Sequence, residues 1–328
     1  MTAAGALGFI SLWQRFLQFE FYHQALAAGL GVALACGLLS VLVVYKRMAF
    51  VGEGISHAAF GGAGVALLLG LFLPAFRSPL TRDLVITLFC VATALLIGYL
   101  SRSGRLHEDS AIGICLVAAM ALGVVLLNVR AYWLERLIGT GRLVRADIGY
   151  TPSFHDLLFG NILAVAGGRF LCFNAQAWAG ILLGLVILVL FALAFRQLVF
   201  FAFDEESAAV FGLPTALYYY GLLVALGVAI ALAMRLLGVI LCTALLILPG
   251  ASASFWSRRI VCISILSVVI AMGGVTAGLF AAIALEILST GPVIVLMLFC
   301  IFLVSYIAGR LRRWRAQTAG KAMSSARA

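Results

Sequence analysis

The chain has 328 residues, of which 65% are hydrophobic and 10% charged, with a mean hydropathy of +1.18. That balance excludes a soluble globular domain and identifies a polytopic membrane protein. The net charge of +10 does not point to a nucleic-acid partner: Arg310, Arg312, Arg313, Arg315, Lys321 and Arg327 crowd an acid-free stretch at the end of the chain. This is a positive-inside signal, and it puts the C-terminus in the cytoplasm.

Residues 1–22 carry Arg15 and Glu20 among Trp13, Phe16 and Phe19. They lack the basic start, apolar core and small-residue cleavage site of a signal peptide and read as an interfacial lead-in. Apolar runs long enough to cross about 30 Å of hydrocarbon follow. They lie at 24–45, 50–73, 84–101, 110–128, 178–195, 215–234, 237–256, 260–285 and 291–309. The pattern predicts an all-α polytopic transmembrane bundle of about nine spans, with eight or ten as the neighbouring counts. It forms a single domain over 1–328, and residues 310–328 are its basic cytoplasmic tail.

Counting back from that tail puts Arg258-Arg259, the 196–214 loop, Arg102 to Asp109 and Lys46-Arg47 inside, and the N-terminus outside. The 129–177 segment goes outside despite Arg130, Arg136, Arg142, Arg145 and Arg169, because long loops translocate largely regardless of charge. Within it, residues 156–165 are too short to span and should lie in the interface or dip into a protein-lined cavity. The 196–214 loop ends in Asp204-Glu205-Glu206, then Ala and Val, then Gly212 and Pro214, the marks of a short cytoplasmic helix. Asp204, Glu205, Val210, Phe211 and Gly212 read either as a solvated connector or as a docking element. Docking would cover Val210 and Phe211, otherwise apolar and exposed. Arg235 is expected to snorkel to the outer interface and Glu286 to be an interfacial loop acid. From Gly238 to Ser254 the residues change from bulky to small at Pro249, which predicts a kink or a helix end there. The seven cysteines are scattered, without a C-x-x-C pair, and read as packing residues.

One pair stands apart. Glu53 and His57 are four residues apart in an apolar run, so a helix puts both on one face, about 6 Å apart along its axis. If that helix enters the bilayer near Ala49, Glu53 lies about 6 Å deep and His57 about 12 Å deep. Ionisable groups at such depth cost about 2.5–3.5 kcal/mol to insert and are functional by default. One oxygen and one nitrogen ligand suit Zn²⁺, Mn²⁺ or Fe²⁺, and two ligands hold a metal loosely enough for transit. The alternative is a buried Glu–His hydrogen bond that fixes helix packing.

Enzymatic chemistry is missing from the sequence. No G-x-x-x-x-G-K-[ST] phosphate loop and no G-x-S-x-G or H-E-x-x-H occurs, so any ATP hydrolysis belongs to a separate subunit. His107-Glu108-Asp109-Ser110 reads as a helix start with Asp109 or Ser110 as cap. No permanently bound cofactor is expected.

The run Val51-Gly52-Glu53-Gly54-Ile55-Ser56-His57-Ala58, followed by Gly62, resembles the G-D-x-x-S-H-A motif of the zinc/manganese (ABC-3 type) permeases of ATP-binding-cassette metal uptake systems. Further segments are similar in the same order: Ser110 to Gly113, Leu158 to Leu163, Phe203-Asp204 to Pro214, Gly238 to Pro249, and the turn Ser289 to Pro292. The resemblance covers about residues 25–310. It departs at Glu53, where Asp is usual, at Gly61, where Pro is common, and in a long 129–150 insertion. It implies a multi-pass inner-membrane permease whose dimeric pore pairs with a second copy or a related permease. A cytoplasmic ABC ATPase and an extracytoplasmic metal-binding protein would serve it, with membrane lipid around it. The motif's acid and His, here Glu53 and His57, would be on the path of transported zinc, manganese or iron. The alternatives are a permease for a metal chelate of siderophore or cobalamin type, and an ATPase-independent secondary carrier.

Overall fold

The computed structural model describes residues 20–104, 106–139, 169–170, 173–285 and 290–325. In hydrocarbon every backbone N–H and C=O must find a partner inside the chain, so the long apolar runs become helices. They are α1 (Glu20–Tyr45), α2 (Ala49–Phe72), α3 (Pro79–Arg102), α4 (Glu108–Gly139) and α5 (Ala175–Leu193). After α6 (Phe195–Phe203) and α7 (Glu205–Val210) come α8 (Thr215–Ser254), α9 (Ile260–Ala284) and α10 (Thr290–Ser325). A short antiparallel pair, Arg169–Phe170 with Phe173–Asn174, precedes α5.

Among the described residues eight helices are long and apolar enough to cross a membrane, with the two arms of α8, Thr215–Met234 and Leu237–Ser254, counted separately. The α5–α6 pair, bent by 76°, makes up to nine. The expected all-α bundle of about nine spans is what the chain forms.

The arms of α8 fold back on each other. Tyr219, near the start, meets Ser101 at the end of α3 through their hydroxyls at 3.0 Å. Ala253, near the finish, packs with Val41 close to the end of α1. The ends of α1 and α3 are themselves joined through Glu205, so both termini of α8 lie at the same end of the bundle. The reversal falls at Gly238, whose φ of 81° and ψ of 166° break the helix in a region that side chains with a Cβ avoid. Of the kink or helix end expected at Pro249 the helix end does not occur, and the second arm runs through the proline to Ser254. Ser40 on α1 explains why. Proline offers no N–H and disturbs the next turn, and there the Gly250 N–H donates to Ser40 Oγ at 2.9 Å while Ser40 Oγ donates to the Ile247 carbonyl at 3.4 Å.

Two other expectations change. Residues 195–203 form helix α6 rather than loop, and α4 continues to Gly139, well past 128. That helix begins at Glu108, with the His107 carbonyl accepting from Ser110 N–H at 3.0 Å, so Asp109 stands in the first turn rather than at the cap. The lead-in up to residue 19, the 156–165 segment and Glu286 lie outside the described residues.

Helix α1 is the axis of the bundle, packing on α5, α8 and α9, while α2 lies between α4, α3 and α8. Small residues permit these approaches, as expected where helix association depends on close packing rather than on exclusion of water. A Cβ on Gly31 would stand 2.3 Å from the Gly180 carbonyl oxygen of α5. Ser267 of α9 fastens the third neighbour, its Oγ donating to the Gly37 carbonyl at 2.6 Å.

Candidate functional site

Glu53 and His57 sit in the first half of α2, with Gly52 and Gly54 flanking the acid. A Cβ on Gly52 would touch Leu246 Cδ1 of α8 at 3.3 Å, and one on Gly54 would press Ile112 Cγ2 of α4 at 2.9 Å. Glycine here lets two helices close on α2 immediately beside the carboxylate. The pair forms as its spacing predicts: His57 Nε2 lies 3.0 Å from Glu53 Oε1. Ser56 turns its hydroxyl back to the Glu53 carbonyl at 2.9 Å and takes no part.

The His57 side chain is 20% exposed and that of Glu53 42%. With the exposed Phe50 they form one stripe, at i, i+3 and i+7, that the rest of the described chain covers only in part. A carboxylate cannot face lipid without a large penalty, so this stripe belongs to a polar cavity or to another protein surface. With the proton on Nε2, the ring donates to Oε1 and its Nδ1 lone pair is available; a cation shared by Nε2 and Oε1 displaces that proton. A separation of 3.0 Å suits two ligands about 2.1 Å from one ion at an angle of about 90°. Among the described residues no group of three or more His, Cys, Asp or Glu is placed to hold a metal. Among the described residues the pair therefore offers one nitrogen and one oxygen, with no third such group beside them.

Behind the pair the structure brings together residues that read as scattered packing in the sequence. Cys36 of α1, Cys90 of α3 and Cys242 of α8 are all fully buried in one core cluster, and Cys90 Sγ donates to the Ile55 carbonyl of α2 at 3.8 Å. Their sequence separations hide this cluster, and no local pattern announces it.

The second group of expected residues lies at the end of the bundle where α8 starts and finishes. Asp204 caps α7: its Oδ1 accepts from Ser207 N–H at 2.9 Å and its Oδ2 from the Ser207 hydroxyl at 2.5 Å. The hydroxyl bond, then the N–H bond, hold this carboxyl below the usual aspartate value. Gly212, at φ 82°, closes the helix, with Gly212 N–H on the Ala209 carbonyl and Leu213 N–H on that of Ala208. Between cap and turn, Val210 is 86% and Phe211 79% exposed. Glu205 goes the other way, bonding to Lys46 at 2.5 Å and to Arg102. The five residues thus divide into a cap, a turn, an outward apolar pair and an inward ion pair. Arg312 of α10 stacks over Trp256 at this same end, which gathers the basic residues read as one side of the membrane.

Comparison with known proteins agrees with this layout. The model of the ABC 3 transport family matches residues 18–309. The manganese transport system membrane protein MntC of Halalkalibacterium halodurans is 32% identical over 320 residues, covering 95% of this chain and 97% of that one. A protein of Haemophilus influenzae described as a probable iron transport system membrane protein is 31% identical over 72% of this chain and 75% of its own. A chain of the solved PsaBC complex with Fab from Streptococcus pneumoniae superposes with a TM-score of 0.72 at 26% identity, covering 91% of this chain and 95% of that chain.

Proposed function

This chain belongs to the ABC 3 transport family, and on that premise we propose that it is the permease subunit of an importer for a divalent transition metal. The observation that carries the reading is the pair of Glu53 and His57, a nitrogen and an oxygen ligand held 3.0 Å apart inside a span and opening onto a partly covered stripe. Two ligands bind a divalent ion weakly enough to release it, and a second permease copy facing the stripe supplies what one chain lacks. Relatives named for manganese and for iron support a transition-metal cargo, with zinc chemically admissible at the same ligands. The outward Val210 and Phe211, on a helix capped at both ends, form the seat for a cytoplasmic ATPase. An extracytoplasmic metal-binding protein delivers the ion at the opposite end, and the basic tail of α10 lies in the cytoplasm.

The test is uptake of radiolabelled manganese, zinc and iron(II) by liposomes holding this permease with its ATPase and binding protein. ATP-dependent accumulation of one of these ions, lost when the ATPase is omitted, is the expected result. Accumulation without ATPase would make the chain a secondary carrier, and uptake of a chelate but of no free ion would move it to the chelate class.

A further inference from the structure

Helix α7 is fastened to the bundle by charge more than by packing. Ala208 alone among its residues is buried, and Asp204 already caps it, so Glu205 is not needed to start the helix. That carboxylate instead takes a cation on each oxygen, Lys46 Nζ on Oε2 at 2.5 Å and Arg102 on Oε1. An exposed ion pair contributes little, because water and side-chain freedom compete with it. Neither competitor is free to act here. The Lys46 side chain is only 13% exposed, and its Nζ lies 3.8 Å from the centre of the Phe201 ring of α6. Arg102 Cζ lies 4.4 Å from the centre of the Tyr219 ring of α8, so an aromatic face holds each cation in place.

The two cations lead to different parts of the bundle. Arg102 ends α3. Lys46, with Arg47 and Met48, is all that separates α1 from α2. This connection has little slack: Lys46 N–H donates to the Leu42 carbonyl and Met48 N–H to the Val43 carbonyl, both at 2.9 Å, and Arg47 adopts φ 59°. Met48 is buried in the core, and its carbonyl accepts from Val51 N–H at 3.1 Å in the first turn of α2. Displacing Lys46 therefore displaces the start of α2, and Glu53 stands in the next turn.

We propose that Glu205 is a positioning residue for transport: it carries movement of α7 through Lys46 and the α1–α2 turn to the helix of Glu53 and His57, while Arg102 keeps α7 in step with α3. Docking and transmission are thus divided within one short helix, with Val210 and Phe211 facing the ATPase and Glu205 facing the spans. Without the ion pair, α7 would rock on its chain connections and leave α2 where it is. This inference rests on the importer reading above.

The experiment measures manganese imported per ATP hydrolysed by the complex of permease, ATPase and binding protein in liposomes. Glu205→Gln keeps the shape of the side chain and removes its charge. It should retain the ATPase on co-purification, since Val210 and Phe211 are unaltered, and lower the ratio about fivefold, the low end of couplings between distinct sites. Lys46→Met should lower it to a similar degree, and the double variant should be no worse than either alone, because both residues act in one step. A pair with a purely structural role would lower thermal stability and leave the ratio untouched. An unchanged ratio in Glu205→Gln, loss of the ATPase from that variant, or additive losses in the double variant overturns the link while the importer reading stands. A wild-type complex that imports no metal under ATP overturns the importer reading, and the link with it.

Discussion

Glu53 and Glu205 are glutamates paired with nitrogen donors, but they are built for opposite ends. The partner of Glu53 is one turn away on the same helix, 3.0 Å distant, and its carboxylate opens onto a face that the described residues leave partly open. The partners of Glu205 are 159 and 103 residues away and belong to two other helices. Separating Glu53 from His57 breaks no bond between helices, which suits a cation taking the proton's place between them. Separating Glu205 from Lys46 and Arg102 unfastens α7 from α1 and α3. A local pair suits an exchangeable ligand, whereas a long-range pair suits a mechanical tie.

The largest effect that would test this contrast is at Glu53 and His57. Glu53→Gln keeps the shape and can still bond His57, so a packing role predicts near-normal uptake. A ligand role predicts a loss on the order of 100-fold at matched expression, since even outer-shell partners of a metal ligand are worth about 10–100-fold. His57→Ala should match it, with ATPase assembly retained in both. At the coupling end, Val210→Asp with Phe211→Asp should abolish co-purification of the ATPase and leave the permease folded, because these side chains touch little of their own chain. Retained co-purification would remove α7 as the docking element.

A smaller effect is expected at Ser40. Ser40→Ala leaves the Gly250 N–H without its acceptor beside Pro249, a cost of about 1–3 kcal/mol. Thermal unfolding in detergent should register it, with metal selectivity unchanged. The smallest effect concerns pH. The carboxyl of Asp204 is held below its usual value by Ser207, so its cap is fully present above the unfolded-state value. It is lost only as pH falls through the lower folded-state value. Binding of the ATPase should therefore not change through this group between about pH 7 and about pH 5. A titration of binding with Asp204→Ala as the reference checks this.

The spans were legible because charge is so sparse that each apolar run shows its own limits, and the Glu53–His57 pair was legible because its partners are one helical turn apart. What could not be read is whatever depends on contacts across the chain. The bond from Glu205 to Lys46 joins residues that look in sequence like an acidic loop and a positive-inside signal, and the burial of Cys36, Cys90 and Cys242 in one core cluster has no local signature. Helix α6 was missed because its run Phe195 to Phe203 follows α5 after a sharp bend and resembles a loop flanking a span. At α8 the proline drew the expected break, yet Ser40 from α1 neutralises it, while Gly238, one glycine among 34, marks the true reversal.

That reversal makes α8 a pair of tongs. Its bend is at a single residue at the end of the bundle remote from α7, and both tips lie at the end where α7 sits. One arm starts just after Gly212 and Pro214 and leans on α3 through Tyr219 and Ser101. The other lies along the Glu53–His57 pair, with Leu246 against Gly52, and is pinned to α1 by Ser40. The angle between the two arms, and with it the spacing of α3 from the helix of Glu53, therefore hangs on one backbone position whose φ of 81° a residue with a Cβ would occupy only under strain.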